Sequence, residues 1–337
     1  MPDDDLEGVD QAVPTAERRF TVEAGRAGTR LDKALADWLP EASRSRLKQW
    51  IEAGAVRVNG GAVRPRHALV TGDEVVVEPQ PAPEAAAFTP EAMPLAIVHE
   101  DASIVVLDKP AGLVVHPAAG HWSGTLLNGL LARFPELAAV PRAGIVHRLD
   151  ADTSGLLVVA RTVASQLDLV RQLQARSMRR EYWAIVLGET PRRGVIDAPI
   201  VRDPRNPLRF RVSKAAAARS ARTHYLRIAT GEQAGAMLSW LACRLDTGRT
   251  HQIRVHFEHL GHPLIGDPVY RRRLPPPLAE VPWRAFARQA LHACRLGLDH
   301  PSTGRQMQWF RAPPADLAGL MTGLGFSPLD VPAQWPS

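Results

Sequence analysis

Cysteine and lysine are scarce in this chain. Of 337 residues, two are cysteine (Cys243 and Cys294) and four are lysine (Lys33, Lys48, Lys109 and Lys214). Two thiols make neither a disulfide framework nor a zinc site, so both are expected to be reduced and packed. No apolar run approaches the ~20 residues that a membrane helix needs. The N-terminus also lacks the basic start and apolar stretch of a secretory signal. A cytoplasmic protein with no membrane partner and no structural metal is therefore expected. Gly-rich phosphate loops of the dinucleotide or Walker type are missing, as is any internal repeat. The first seventeen residues hold no Lys or Arg, but carry Asp3, Asp4, Asp5, Glu7, Asp10 and Glu17.

What is present is arginine, which supplies 37 of the 41 basic residues. Its planar fork suits phosphate and stacks on bases, although an Ala- and Arg-rich composition also accompanies a GC-rich genome. The formal net charge of +6 conceals a split. Residues 1–17 read as a solvated acidic tail. Residues 18–79 hold 11 basic and 8 acidic residues, and everything beyond residue 94 holds 30 against 19, a net +11. A polyanionic partner is compatible with these numbers, which do not require one.

Residues 18–79 read as one small unit. Leu31, Leu35, Trp38 and Leu39 recur on one face of a helix that Pro40 ends. Ser43 suits the N-cap of a second helix with Leu47, Trp50 and Ile51 inward and Arg44, Arg46 and Lys48 outward. Gly54 stops it. Val56–Val58, the Asn59-Gly60-Gly61 turn and the valines of 73–78 then complete a β element. The Pro/Ala stretch 80–94 reads as a semi-rigid spacer resisting helix and sheet. From residue 95 to 325, strands at Ile104–Leu107, Leu156–Ala160, Tyr182–Val186 and Cys243–Leu245 mix with a helix over Ser165–Ala175. The alternation is too irregular for a series of parallel βαβ units, so an α+β fold is expected. Residues 326–337 read as a C-terminal tail.

The chemistry concentrates in two polar turns. One is Gly144-Ile145-Val146-His147-Arg148-Leu149-Asp150-Ala151-Asp152-Thr153-Ser154-Gly155, which feeds an apolar strand and sets carboxylates at its edge. The other runs from Leu245 through Asp246, Thr247, Gly248, Arg249, Thr250, His251, Gln252, Ile253 and Arg254 to His256. Asp152-Thr153-Ser154-Gly155 and Asp246-Thr247-Gly248 mimic the paired loops of aspartic proteases. Arg249, His251 and Arg254, however, would keep a nearby carboxylate ionised and oppose proton sharing. His251 and His256 stand five apart, a poor spacing for a shared metal. They and His147, His224 and His292 read individually as hydrogen-bonding histidines. Asp152 and Thr153 read as turn and cap residues.

Ordered blocks carry two resemblances. Thr29-Arg30-Leu31-Asp32-Lys33-Ala34-Leu35, Ser43-Arg44-Ser45-Arg46-Leu47, Val56-Arg57-Val58-Asn59-Gly60 and Gly72-Asp73 resemble the S4-type RNA-binding domain. The His147-to-Gly155 stretch is similar to the defining motif of the RluA-type pseudouridine synthases, His-Arg-Leu-Asp-x-x-Thr-Ser-Gly. Further blocks follow in family order: Leu107 to Pro117, Arg180-Glu181-Tyr182, Thr223-His224-Tyr225, Gly248 to His256, Gly261-His262-Pro263, Gly266-Asp267 and Arg288 to Ala293. The resemblance implies a mostly antiparallel catalytic sheet flanked by helices and preceded by the S4 unit.

It also implies roles. Asp150 would be the catalytic nucleophile, Arg254 its ion-pair partner, and Tyr182 the aromatic packing against a flipped uracil. Arg148 would enter the RNA stack, and Ile253 would line the pocket. Arg44, Arg46 and Lys48 would meet RNA phosphates from the S4 unit. Lys109 with Pro110 would shape a substrate-facing loop. Ala151 replaces the Lys usually found after the nucleophile, removing a phosphate contact. Residues 213–221 and 229–241 also depart from the family pattern. No cofactor is implied. The partner implied is 23S ribosomal RNA or a large-subunit precursor, met by a monomer. Val114 to Gly120 and Val140 to Asp150 look most like members acting on the helix 69 stem-loop. Other large-subunit uridines, or a non-catalytic role in ribosome assembly, are the alternatives.

Overall fold

A computed structural model describes residues 16–80, 83–118, 120–271 and 282–327. The expected acidic tail lies outside the described residues as far as residue 15, as does the C-terminal segment from residue 328. The chain divides into two compact units, Met1–Ala87 and Phe88–Ser337.

In the first unit β1 (Arg18–Thr21) precedes α1 (Leu31–Trp38) and α2 (Arg44–Glu52), followed by β2 (Val56–Val58), β3 (Gly61–Ala62) and β4 (Glu74–Val77). The strands form an antiparallel sheet in the order β1-β4-β2-β3. Leu31, Leu35, Leu47, Trp50 and Ile51 pack against Val56, Val75 and Val77, and this shared burial holds two short helices that would be marginal alone. Ser43 caps α2 by accepting from the Arg46 amide at 3.4 Å.

Arg46 corrects the sequence reading. It is 7% exposed, lies over the Trp50 ring and donates to the Gln80 carbonyl at 3.4 Å. Four residues separate it from Trp50, which sets both on the same side of the helix. Arg44 and Lys48 do face solvent. The expected spacer differs too. Residues Pro83–Phe88 form a 3₁₀ helix. Thr89 and Glu91 are then tied to Asn128, through its side-chain amide to the Thr89 carbonyl at 2.8 Å and its own carbonyl accepting from the Glu91 amide at 3.0 Å. The proline content excluded a ladder strand but not docking by isolated hydrogen bonds.

The second unit opens with β5 (Ile97–Glu100), β6 (Ile104–Lys109), α3 (Leu126–Arg133), β7 (Ser154–Ala160), α4 (Val163–Gln174) and β8 (Arg179–Leu187). It continues with β9 (Arg193–Asp197), β10 (Ile200–Arg202), β11 (Phe210–Val212), β12 (Arg222–Gln233), β13 (Ala236–Leu245) and α5 (Gln252–His259). It ends, among the described residues, with β14 (Leu291–Asp299), β15 (Gln306–Phe310) and α6 (Ala315–Gly323). The main sheet runs β5-β6-β7-β14-β8-β13-β12-β9, with β15 on β14, and β10 and β11 form a separate ribbon. The fold is thus α+β with a mostly antiparallel sheet. Among the described strands only β7 and β14 pair in parallel, at Ser154–Gly155 against His292–Ala293.

Alternate residues of the central strands enter two cores. Leu107, Leu157, Tyr182, Cys243 and Leu291 face α3 and α5, whereas Val106, Val158, Trp183, Trp240 and Leu296 join clusters with α4 and α6. Burial on both faces explains the near-continuous apolar reading of these strands. Both cysteines are buried and unpaired. Gly155 holds a positive φ of 113°, and a Cβ there would sit 2.2 Å from the Ala293 carbonyl oxygen. The Ser-Gly pair is therefore a backbone requirement of the β7–β14 contact. Phe326, expected in a free tail, is buried beside Trp240. No helix among the described residues is long and apolar enough to cross a membrane.

Candidate active site

The loop before β7 is bent by three successive residues with positive φ, Arg142 (53°), Ala143 (49°) and Gly144 (75°). It then extends to present Arg148, Leu149 and Asp150. Arg148 is exposed, Leu149 turns into the core, and the Asp150 side chain is 16% exposed. A tight turn follows, with the Thr153 amide donating to the Asp150 carbonyl at 3.0 Å. Thr153 and Asp152 are turn residues without a helix to cap. Thr153 Oγ1 accepts from Gln289 at 3.1 Å, and the Asp152 carbonyl accepts from Arg288 at 3.0 Å.

Lys109 is buried beneath this turn. Its Nζ donates to the carbonyls of Pro110, Leu113 and Ala151 at 2.7, 2.9 and 2.7 Å, tying the 110–113 loop to the residue after Asp150. Burial pulls the ammonium down to about 7, while Asp150 and Asp152 oppose that shift. All three donors are spent on the backbone, so Lys109 shapes the loop from within.

Arg254, on α5, reaches Asp150 from the other side. Its Nη1 donates to Asp150 Oδ2 at 2.9 Å. Its Nε and Nη2 grip both oxygens of Asp267 at 2.7 and 3.0 Å. The Asp267 side chain is fully buried and Arg254 nearly so. Burial works against the guanidinium charge, but the carboxylates outweigh it and hold its proton more tightly than usual. Asp267 Oδ1 also accepts from the amides of Val269 and Tyr270, at 2.9 and 2.8 Å. An arginine locked this way is a fixed positive charge behind Asp150.

Tyr182, on β8, and Ile253, on α5, are buried in the same core cluster as Leu149. Burial raises the Tyr182 phenol, with Arg180 opposing and the Asp150 charge adding to the shift. Among the described residues nothing hydrogen-bonds its hydroxyl. Arg148 likewise has no ion pair among them. Burial, Arg142 and Arg148 lower His116 to about 4 on the neighbouring loop.

The structure therefore sets Arg254 against Asp150, buries Tyr182 and Ile253 in the core cluster that holds the adjacent Leu149, and leaves Arg148 exposed two residues earlier. It places Arg44 and Lys48 on the first unit, with Lys48 near Glu52 at 3.5 Å, and takes Arg46 out of the exposed set. Three contributors were not assigned from sequence: Asp267, His251 and Tyr270. His251 Nε2 lies 4.0 Å from Asp150 Oδ1 and its Nδ1 meets the Tyr270 hydroxyl at 2.9 Å. Gly266-Asp267 stands among the family blocks, but its pairing with Arg254 emerges only when the chain turns back.

The other singled-out groups have local partners. Asp246 faces His224 at 3.0 Å and Arg222 at 4.0 Å. His256 bridges Thr223 and the Ala198 carbonyl, His292 bridges Ser154 and the Arg311 carbonyl, and His147 Nε2 accepts from the Val158 amide.

Comparison with known proteins bears on the whole arrangement. The profile of the RNA pseudouridylate synthase family matches residues 103–259, and that of the S4 domain matches residues 29–75. The chain is 46% identical over 323 residues to the ribosomal large subunit pseudouridine synthase D of Nitrosomonas europaea, covering 96% of this chain and 92% of that protein. It is 49% identical over 309 residues to the protein of the same description from Neisseria meningitidis serogroup B, covering 90% and 81%. Among solved structures, human RNA pseudouridylate synthase domain containing 1 aligns with a TM-score of 0.52 at 25% identity, over 70% of this chain and 96% of that one.

Proposed function

Since the chain belongs to the RNA pseudouridylate synthase family, as an RNA pseudouridine synthase with an S4 RNA-binding domain, we propose that it isomerises uridines of 23S ribosomal RNA, those of the helix 69 stem-loop, with Asp150 as nucleophile. The relatives' description as large-subunit enzymes supports the RNA. One observation carries the site: the Asp150 carboxylate meets the buried, doubly anchored Arg254 at 2.9 Å and stays partly exposed.

The target glycosidic bond is stacked within RNA, so the nucleotide must flip out. Arg148 is free to fill the gap, its guanidinium stacking where the uracil was. Tyr182 offers the flipped base an aromatic face with no fixed polar register, which lets the uracil turn. Asp150 attacks C1′ as the C1′–N1 bond breaks and the pair of electrons stays on uracil N1. Positive charge developing at C1′ favours a carboxylate beneath the ribose, as in glycoside hydrolysis. The rotated uracil then bonds through C5 as the ester to Asp150 breaks. C5 gives up its proton and N1 gains one, so the product is an isomer and no co-substrate enters the balance. Arg254 faces the carboxylate from behind, on Oδ2, as the ester forms and breaks. Arg44 and Lys48 supply phosphate contacts away from the chemistry.

The test is tritium release from RNA labelled at uridine C5, using a large-subunit fragment containing helix 69 and no added cofactor. The intact protein should release tritium. Asp150→Asn should release none while still binding the fragment. Release by that variant would remove Asp150 as nucleophile. Unchanged pseudouridines in helix 69 of cells lacking the gene would redirect the target.

A further inference from the structure

His251 is the N-cap of α5 and adopts a left-handed backbone, φ 56° and ψ 21°, costly for a side chain with a Cβ. The turn around it is over-determined. Gln252 Oε1 accepts from Thr247 Oγ1 at 2.7 Å and from the Arg249 amide at 3.0 Å, and its Nε2 donates to the Arg222 carbonyl and to Thr223, both at 3.0 Å. The strained backbone aims the imidazole between two groups. Nδ1 lies 2.9 Å from the hydroxyl of fully buried Tyr270, and Nε2 faces Asp150 Oδ1 at 4.0 Å. The rings of Tyr270 and Phe210 meet the imidazole edge-on, at 5.5 and 5.8 Å.

Hydrogen-bond inventory sets the tautomer. The Tyr270 oxygen already accepts from the Phe210 amide at 2.8 Å. Its own proton needs an acceptor, and His251 Nδ1 is the one at hand. Nδ1 therefore accepts, and the imidazole proton sits on Nε2, toward Asp150. The two oxygens of Asp150 are then unlike. Arg254 holds Oδ2 at 2.9 Å, whereas Oδ1 has an N–H beside it at a separation too long for a hydrogen bond.

We infer that His251, oriented by Tyr270, is a positioning residue that confines Asp150 Oδ1 while leaving it unbonded, making Oδ1 the oxygen that attacks C1′. This rests on the nucleophilic role proposed for Asp150. A cationic imidazole would close the 4.0 Å gap into an ion pair and occupy the attacking oxygen. Keeping His251 neutral is thus part of the device. The groups facing it are Asp150, Arg148, Arg254, Asp267 and Tyr270, with Arg209 stacked over Tyr270 at 5.2 Å. Burial lowers His251, Asp150 and Asp267 oppose that shift, and Arg254 and Arg148 add to it, for a net fall. Tyr270 donating to Nδ1 further favours the neutral ring.

The experiment compares single-turnover pseudouridine formation from mildly acidic to alkaline pH for the intact chain, His251→Gln and Tyr270→Phe. Nitrogen-15 spectra of the histidines in the same full-length proteins accompany it. Gln keeps an N–H near the Nε2 position but cannot be protonated. His251→Gln should lose the acid limb of the rate profile, with a neutral-pH rate down by about tenfold to a hundredfold from imperfect placement. Tyr270→Phe removes one hydrogen bond to neutral imidazole and should move the acid limb up by about one pH unit. The intact protein should show His251 protonated on Nε2 alone. Profiles of unchanged shape in both variants, whether or not the rates fall, would mean a structural histidine and overturn the inference. So would an Nδ1–H tautomer. If the intact protein released no tritium, the nucleophilic reading itself would fail, while the nitrogen spectra would still report on the tautomer.

Discussion

Arg254 shows what a single buried charge demands of its neighbours. It is flanked by Asp150 and Asp267, and Asp267 has no exposed side-chain surface. A buried pair is modest evidence for stability, but removing one partner leaves an uncompensated charge, at a cost of about 3–5 kcal/mol. Asp267→Asn should therefore lower stability by about that amount in urea unfolding, and turnover should fall more than RNA affinity. The Val269 and Tyr270 amides would lose a charged acceptor at the same time. An Asp267→Asn protein with unchanged midpoint and turnover would show that Arg254 is held by something else. Arg46 gives the opposite lesson, since its guanidinium lies over the Trp50 ring and the residue is nearly buried. A substitution there is expected to act through packing.

Elements place these residues, and here Gly155 is the sharpest case. It lets β7 run against β14 with backbone nearly touching backbone. Gly155→Ala should destabilise by roughly 3 kcal/mol or more, combining an unfavourable φ with a clash against a carbonyl. A thermal unfolding curve matching that of the parent would disprove the requirement. Much of this level was legible in the sequence. The Ser43 cap and the Leu47, Trp50 and Ile51 face of α2, and strands at 104, 156, 182 and 243, follow from periodicity and capping alone. The motif residues Asp150, Tyr182 and Arg254 were legible too, as ordered blocks. What stayed hidden depends on partners distant in the chain. The Arg18–Thr21 strand is polar and short, and becomes a strand only by pairing with β4. Asp267 stands in a family block without a role until Arg254 is beside it. His251 lies in a helix-like run, and its left-handed backbone has no sequence signature.

At the scale of the whole molecule, burial lowers five histidines, His116, His147, His251, His256 and His292. Burial lowers His116 to about 4, His147 to about 3 and His292 to about 4, against 6.5 when exposed. Between those limits the unfolded chain binds more protons than the folded one, so stability rises with pH and is lost on acidification. The urea midpoint should thus hold above about pH 6.5 and fall steadily toward about pH 4, with net proton uptake on unfolding. A flat midpoint across that window would contradict the burial of these rings. The Arg288 link reaches far along the chain. Its Nε and Nη2 grip Asp316 on α6 at 2.7 and 3.0 Å, while Nη1 reaches the Asp152 carbonyl at 3.0 Å. The turn holding Asp150 is thereby braced by residues made more than a hundred positions later. During synthesis the chain would carry Asp150, Tyr182 and Arg254 long before it could use them. A chain ending at residue 312 should bind RNA through its first unit and release no tritium, whereas turnover by that fragment would show the brace to be dispensable. Translation itself would then time the onset of activity, keeping a half-made polypeptide from modifying RNA before its own fold is closed.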